Sequence, residues 1–457
     1  MRSTKFRRLL LVLTAIVCIA SLGVISAWAQ SPPASDEQKR IEDLEKQLAE
    51  VRSQLSALQA AQTPAAAPAT QPAAAMNAMP QMSATPASTP ASPTISSLLG
   101  PTTLSGFVDM YYGYNSNQPS SRQGNNLFFT PYSNQFGLNM IELILDKPPD
   151  AANSRTGYHV SLGFGQAMNV VNGSDPGGLG FTQYLKEGYF SYLAPVGKGL
   201  QIDAGKFVTP NGAEVIETKD DWNYTRSLLF YYAIPYYHYG MRAKYTFNDK
   251  YSLTGYFVNG WNSIVAANTG KTYGVSVGWN PNKKLGFTQN YMAGPQLSPT
   301  SDPGGSNSSW RQLWDTVITY SPTPKLSLIL NGDYGRGDRY LNPITSTATS
   351  PVSWYGGAGY VKYAFNSKSA FVTRYEYFDD PNGFTTGLGP ALGLGQHMQE
   401  VTGTFERTIA GHIISRFEYR HDLSNQPFFP KGTSALDKTQ NTVTAGLVFT
   451  FATAESK

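Results

Sequence analysis

Cysteine is all but missing. The one present, Cys18, lies in an apolar run near the N-terminus, so a chain cleaved beyond it has neither a disulfide nor a thiolate metal ligand. Charge is also scarce: Asp, Glu, Lys and Arg make up 14% of the 457 residues, where a soluble domain carries about 25%. That deficit argues for a surface held largely in a low-charge environment. Long apolar runs are missing too, since nothing beyond the N-terminus approaches the roughly 18 apolar residues of a spanning helix. A bundle of transmembrane helices is therefore excluded. The net charge of +4 includes the basic N-terminus and gives no reason to expect nucleic acid as a partner. Aromatic residues and glycine are abundant, with 28 Tyr, 23 Phe and 43 Gly. Scarce charge without long apolar runs leaves one membrane architecture open, the β-barrel, whose strands need only about five lipid-facing residues in ten.

Arg2, Lys5, Arg7 and Arg8 precede an apolar run from Leu9 to Ile25, and Ala27-Trp28-Ala29 follows. A basic region, an apolar stretch and a small-residue site make residues 1–29 a cleavable secretory signal. A retained anchor is the alternative, with a run barely long enough to span. Within 37–61, Ile41, Leu44, Leu48, Val51, Leu55 and Leu58 are spaced alternately by three and four, as the a and d positions of about three heptads are. We read a short oligomerising coiled coil, the alternative being one amphipathic helix lying on another surface. So short a coil is marginal alone and would assist an assembly held together elsewhere. Residues 62–102 are dominated by Ala, Pro, Ser, Thr, Gln and Met. They cannot bury enough apolar surface to offset the entropy of ordering and read as a disordered linker.

From 103 to 451 the pattern has period two. Tyr239, Met241, Ala243, Tyr245 and Phe247 alternate with Gly240, Arg242, Lys244 and Thr246, so one strand face is apolar and the other polar. The same reading gives about sixteen strands, among them 156–167, 182–194, 325–335 and 353–366. In the last, 439–451, Val443, Ala445, Leu447, Phe449 and Phe451 share a face, and a polar tail, 452–457, follows. Short turns such as 248–250 and 366–367 alternate with longer Gly-, Asn- and Ser-rich segments such as 116–133, 294–311 and 336–352. One-sided loop length belongs to an outer-membrane barrel, with short periplasmic turns and long extracellular loops. An even strand count places both barrel ends on the periplasmic side, where the coil and linker must be. The expected fold is an all-β transmembrane barrel of about sixteen antiparallel strands over residues 103–451.

A Lys or Arg facing the bilayer midplane costs about 2 to 4 kcal/mol, which turns charged strand residues inward. Arg242, Lys244, Lys362, Arg374, Arg416 and Arg420, with Asp109, Asp203, Asp315, Glu376, Glu400 and Glu418, are accordingly the candidate pore-lining charges. The alternative is that they fill a closed lumen with salt bridges, although sixteen strands generally leave room for water. Tyr112, Tyr114, Tyr245, Phe247, Trp279, Tyr320, Tyr363, Phe365, Tyr375 and Tyr377 gather near expected strand ends, as the aromatic girdles of a barrel do. His159, His238, His397, His412 and His421 fall in no nucleophile motif, so no enzymatic activity, catalytic residue, cofactor or metal site is expected. His159 and Ser161 read as a polar pair facing the lumen.

Leu104-Ser105-Gly106-Phe107-Val108-Asp109, Ala204-Gly205-Lys206-Phe207, the aromatic run before Tyr239-Gly240 and the stretch Gly255-Tyr256-Phe257-Val258-Asn259-Gly260-Trp261 together resemble the putative OmpL-like β-barrel porins of Gram-negative bacteria. The resemblance covers roughly 103–451 and implies passive solute passage across the outer membrane, in contact with its lipids. The third outer loop, from Pro210 to about Pro235, is the longest and holds Glu214, Glu217, Lys219, Asp220, Asp221 and Arg226. In general porins the third loop folds into the channel and sets its constriction, which makes these six the constriction-loop candidates. An outward surface loop is the alternative, since charge alone does not place a loop. The expected function is a water-filled channel for passive diffusion of small hydrophilic solutes or ions, assembled as a homotrimer, with possible cell-wall contact through the coil. The competing function is a structural barrel that tethers the envelope or mediates adhesion without an open channel, to which Arg336-Gly337-Asp338 lends superficial support.

Overall fold

The computed structural model describes residues 100–453, apart from 101, 179, 303–306 and 342–348. The signal segment 1–29, the coil 37–61 and nearly all of the linker 62–102 lie outside the described residues, as does most of the tail.

Sixteen antiparallel strands close into one barrel. In chain order they are β1 (Thr103–Asn115), β2 (Gln135–Lys147), β3 (Thr156–Phe164), β4 (Leu185–Ala194), β5 (Leu200–Val208), β6 (Tyr237–Thr246), β7 (Tyr251–Val258) and β8 (Thr272–Asn282). The second half comprises β9 (Leu285–Pro295), β10 (Trp310–Thr323), β11 (Leu326–Leu341), β12 (Thr349–Asn366), β13 (Ser369–Asp380), β14 (Gln396–Ile409), β15 (Ile413–Ser424) and β16 (Thr439–Ala452). Each pairs with its neighbours in sequence, and β1 closes on β16 with Val108 opposite Phe449 and Tyr112 opposite Ala445. Closure leaves no unpaired edge, the condition for crossing a bilayer with strands. No helix among the described residues is long and apolar enough to cross a membrane.

Period-two patterning decides which face each residue takes. Along β13, Phe371, Thr373 and Tyr375 are exposed while Val372, Arg374 and Glu376 are buried. The wall is thus inverted relative to a soluble protein, with charge inside and aromatics outside. Phe136 is 74% exposed and Phe190 61%, and leaving such side chains in water forfeits about 1.5 to 3 kcal/mol each. Lipid is the medium in which this outer face carries no such penalty.

At one end the connections are short, as at 283–284, 324–325 and 367–368; at the other they are long, as at 116–134, 165–184 and 209–236. Both barrel termini lie at the short-turn end. Strand limits depart from the sequence reading where glycine or a loop ladder intervenes. β3 stops at Phe164 rather than 167, because Gly165 adopts φ +118 and opens the helix α1 (Gln166–Asn172). A 3-10 turn at Phe181–Tyr184 delays β4 to Leu185. β11 and β12 run past the expected ends at 335 and 353, because their ladder continues to Tyr340 opposite Ser350. Arg336-Gly337-Asp338 therefore lies within a strand, where Arg336 and Asp338 pair at 2.7 Å, and not at an adhesive loop tip.

The long loops fold back over the barrel. Phe129 from the first loop, Met168 from α1 and Leu228, Leu229 and Phe230 from the third join wall residues such as Phe107 and Trp354 in one buried apolar cluster. That cluster fixes where the third loop enters.

Candidate functional site

The third loop, 209–236, runs inside the barrel, and nearly all of it from Asp221 to Tyr236 is buried. Irregular backbone inside a membrane protein must find partners for its N–H and C=O groups. The inward wall charges supply them. Glu418 on β15 accepts from the backbone N–H of Tyr224 at 2.6 Å, from that of Thr225 at 2.9 Å, and from the Thr225 hydroxyl at 2.6 Å. Glu376 on β13 accepts from the N–H groups of Leu228 and Leu229. Arg374 donates to the Thr225 carbonyl and to Glu214, each at 2.7 Å. Arg420 donates to the Arg226 carbonyl at 2.6 Å, and Arg416 to the carbonyls of Thr218 and Asp221. Farther round the same arc of wall, where β1 follows β15 and β16 in the ring, Asp109 on β1 accepts from the Tyr224 hydroxyl at 2.5 Å, and Asn139 on β2 donates to Thr218 at 2.9 Å. Lys186 on β4 pairs with Glu217 of the loop and, at 2.6 Å, with Glu142 of β2. The loop is therefore a strap, rooted between β5 and β6 and fastened as far away as β13, on the far side of the ring.

All twelve candidate pore-lining residues sit on inward-facing positions of their strands, but they divide into two groups. Asp109, Arg374, Glu376, Glu400, Arg416, Glu418 and Arg420 are at most 3% exposed, covered by the loop or by one another. Asp203 and Asp315 are buried as well. For these nine the expectation of contact with lumen water is corrected: loop backbone and neighbouring side chains occupy the space that water was expected to fill. The other three keep contact with solvent. Arg242 is half-buried and pairs with Asp203 at 2.7 Å; Lys362 pairs with Glu406 at 2.9 Å; Lys244 is exposed.

The six loop candidates divide likewise. Glu214, Asp221 and Arg226 are buried and hold the loop together. Arg226 donates to the carbonyls of Val215, Ile216 and Tyr224 and lies 2.8 Å from Asp221. Burial pushes the Asp221 carboxyl upward, against the pull of the Arg226 guanidinium. Glu217, Lys219 and Asp220 remain partly or fully exposed, and Lys219 pairs with Asp220 at 2.5 Å. Arg416 lies nearer the short-turn end of β15 than Arg420, so the 218–221 segment it holds is the part of the strap deepest toward that end. Val215 is 41% exposed, so the 213–220 limb keeps an open side.

Several members of the site lie beyond the candidates named from the sequence. Lys186, Glu142, Glu187 and Glu406 were accessible to the same cost argument that turned Arg374 inward; nothing local marked Tyr224. His159 and Ser161 do not pair. The His159 ring lies between Asp146 at 2.9 Å and Glu187 at 3.5 Å, and Ser161 bonds to Glu142. Among the described residues no group of three or more His, Cys, Asp or Glu is arranged to hold a metal ion.

Comparison with known proteins bears on this architecture. The family model described as putative beta-barrel porin-2, OmpL-like, matches residues 101–451. No curated protein sequence matches the chain. Among solved structures, the anion-selective porin from Comamonas acidovorans superposes with TM-score 0.51 at 9% identity, covering 77% of this chain and 99% of that one. Salmonella typhi OmpF, in complex with daunomycin, gives TM-score 0.51 at 9% identity over 77% of this chain and 97% of its own. At such identities the likeness concerns the fold.

Proposed function

We propose that this chain, which belongs to the putative beta-barrel porin-2, OmpL-like family, is a narrow channel for passive diffusion of small hydrophilic solutes or ions through the outer membrane of a Gram-negative bacterium. The observation that carries the proposal is the partial cover given by the third loop: it crosses the lumen, yet Lys244, Arg242 and Lys362 on the wall and Lys219 and Asp220 on the loop keep contact with solvent. Exposed charge of mixed sign beside a constricting strap orients polar solutes while binding them weakly enough to release. The N-terminal coil is assigned to the periplasm, as an aid to a homotrimer. No catalytic role is proposed for any histidine.

A second reading, a closed barrel serving as a structural element, draws on the dense pairing of Arg374, Arg416 and Arg420 beneath the loop. Planar-bilayer recording on purified protein separates the two. The channel reading expects discrete open-state steps of small amplitude, because the strap fills much of the cross-section. A barrel that inserts and stays insulating leaves the structural reading in its place.

A further inference from the structure

One cluster on the inner wall is not absorbed by the ion pairs that fasten the loop. Asp315 on β10 and Asp333 on β11 are direct cross-strand partners, at 0% and 4% exposure. Like charges directly opposite on a sheet repel. Asp315 is held by two amides, with Asn290 Nδ2 at 2.6 Å from one oxygen and Asn331 Nδ2 at 2.8 Å from the other. Neither oxygen of Asp333 has a hydrogen-bond donor. Asn290 is fully buried, and the same Nδ2 that meets Asp315 also meets the Pro210 carbonyl of the loop at 2.9 Å. Its Oδ1 is left without a donor. Asn211, the next residue along the loop, is buried with its Oδ1 likewise unpartnered.

Buried polar atoms without partners are few in native proteins and cost about 1 to 3 kcal/mol each. Asn290, Asp315 and Asp333 stand at directly opposed positions of three successive strands, and the atoms without partners among them, both Asp333 oxygens and Asn290 Oδ1, are all acceptors and all oxygen. That is the donor set of a hard cation, which takes carboxylate, amide carbonyl and water oxygens and has no need of nitrogen or sulfur. We propose that Asp315, Asp333 and Asn290 form a binding site for a divalent cation of the calcium class, set into the barrel wall beside the entry of the third loop.

Two carboxylates are fewer than a dedicated acidic cluster provides, so amide oxygens and water complete the shell. The site also ties the metal to the strap. Asn290 bonds the loop at Pro210, and Asn331, which bonds Asp315, accepts from the Ala213 N–H at 3.1 Å. A cation that draws the two carboxylates together fixes both amides, and with them the first limb of the loop. This site is independent of whether the barrel conducts.

The rival occupant is a proton shared between the two carboxyls. Refolded, lipopolysaccharide-free protein, stripped with EDTA, is dialysed against radioactive calcium at neutral pH, and its thermal midpoint is read with and without the metal. The proposal expects one high-affinity Ca²⁺ per chain, a midpoint raised by calcium, and at least tenfold weaker binding in Asp333→Asn. Asn290→Asp adds a carboxylate to the set and is expected to bind tenfold more tightly, which keeps the test alive if Asp333→Asn fails to refold. Absence of stoichiometric calcium binding by the wild type, or affinity unchanged in either folded variant, overturns the site in favour of the shared proton.

Discussion

Gly446 on β16 leaves the space that the Tyr224 ring fills: a Cβ placed there would stand 2.1 Å from Tyr224 Cε2. Packing the ring against the wall brings its hydroxyl to Asp109, so one missing side chain helps to seat the strap. Gly446→Ala is expected to expel the ring at a cost of about 1 to 3 kcal/mol, the usual range for overpacking. Limited proteolysis within 212–232 and a rise in single-channel conductance are the readouts. Arg374 makes the complementary case. It contacts Glu214, Glu400 and the Thr225 carbonyl with its side chain fully buried, and its removal leaves carboxylates buried without their partner. Arg374→Ala is expected to lose about 3 to 5 kcal/mol, read as a lower thermal midpoint. Lysine cannot restore the forked contact, so Arg374→Lys is expected to recover little of it. The inward direction of Arg374 was legible, because a guanidinium in lipid is expensive. Its partner was not, since Thr225 lies 149 residues away in the chain and no local pattern links the two.

Among the elements, strands were legible and the behaviour of loops was not. Alternation fixes a strand through its own residues, whereas a loop is placed by partners on many strands. The third loop shows the difference: its six charges are compatible with surface or lumen, and the choice falls to the lumen because Glu376, Glu418 and Arg374 offer matching acceptors and donors to its backbone. The last loop carries a different electrostatic device, a small hairpin of Phe429–Lys431 and Ala435–Asp437. The Lys431 ammonium, 2.7 Å away, holds the half-buried Asp437 carboxyl below its ordinary value, helped by the Lys438 and Thr439 N–H groups. A depressed carboxyl contributes stability that is present above its unfolded pKa, about 3.9, and is lost as pH falls through the folded value. Amide exchange at Lys438 and Thr439 is therefore expected to lose protection in acid, after correction for intrinsic rates, while barrel amides keep theirs. Equal protection of the hairpin at neutral and acid pH would remove the pair from any role in ordering it.

For the whole molecule, the proposed channel raises the question of which charges a permeating solute would meet. The fold was readable from scarce charge, one-sided loops and period two, but the number of inward charges gave no measure of how many touch water. Lys244 does so from the inward face of β6, opposite Gln201 on β5 and Thr254 on β7, neither of which can neutralise it. An exposed cation in a narrow conduit enriches anions near it and repels cations. Lys244→Glu should leave the strap and its fastenings intact, because the side chain takes no part in them. The expected result is a reversal potential displaced toward cation preference under a KCl gradient. Salt dependence makes the test specific. Screening acts over about 10 Å at 0.1 M ionic strength and about 3 Å at 1 M, so the displacement should be large in dilute salt and fade in concentrated salt. A displacement absent in dilute salt would place Lys244 off the conduction path and shift the selecting role to Arg242, Lys362 and the Lys219–Asp220 pair.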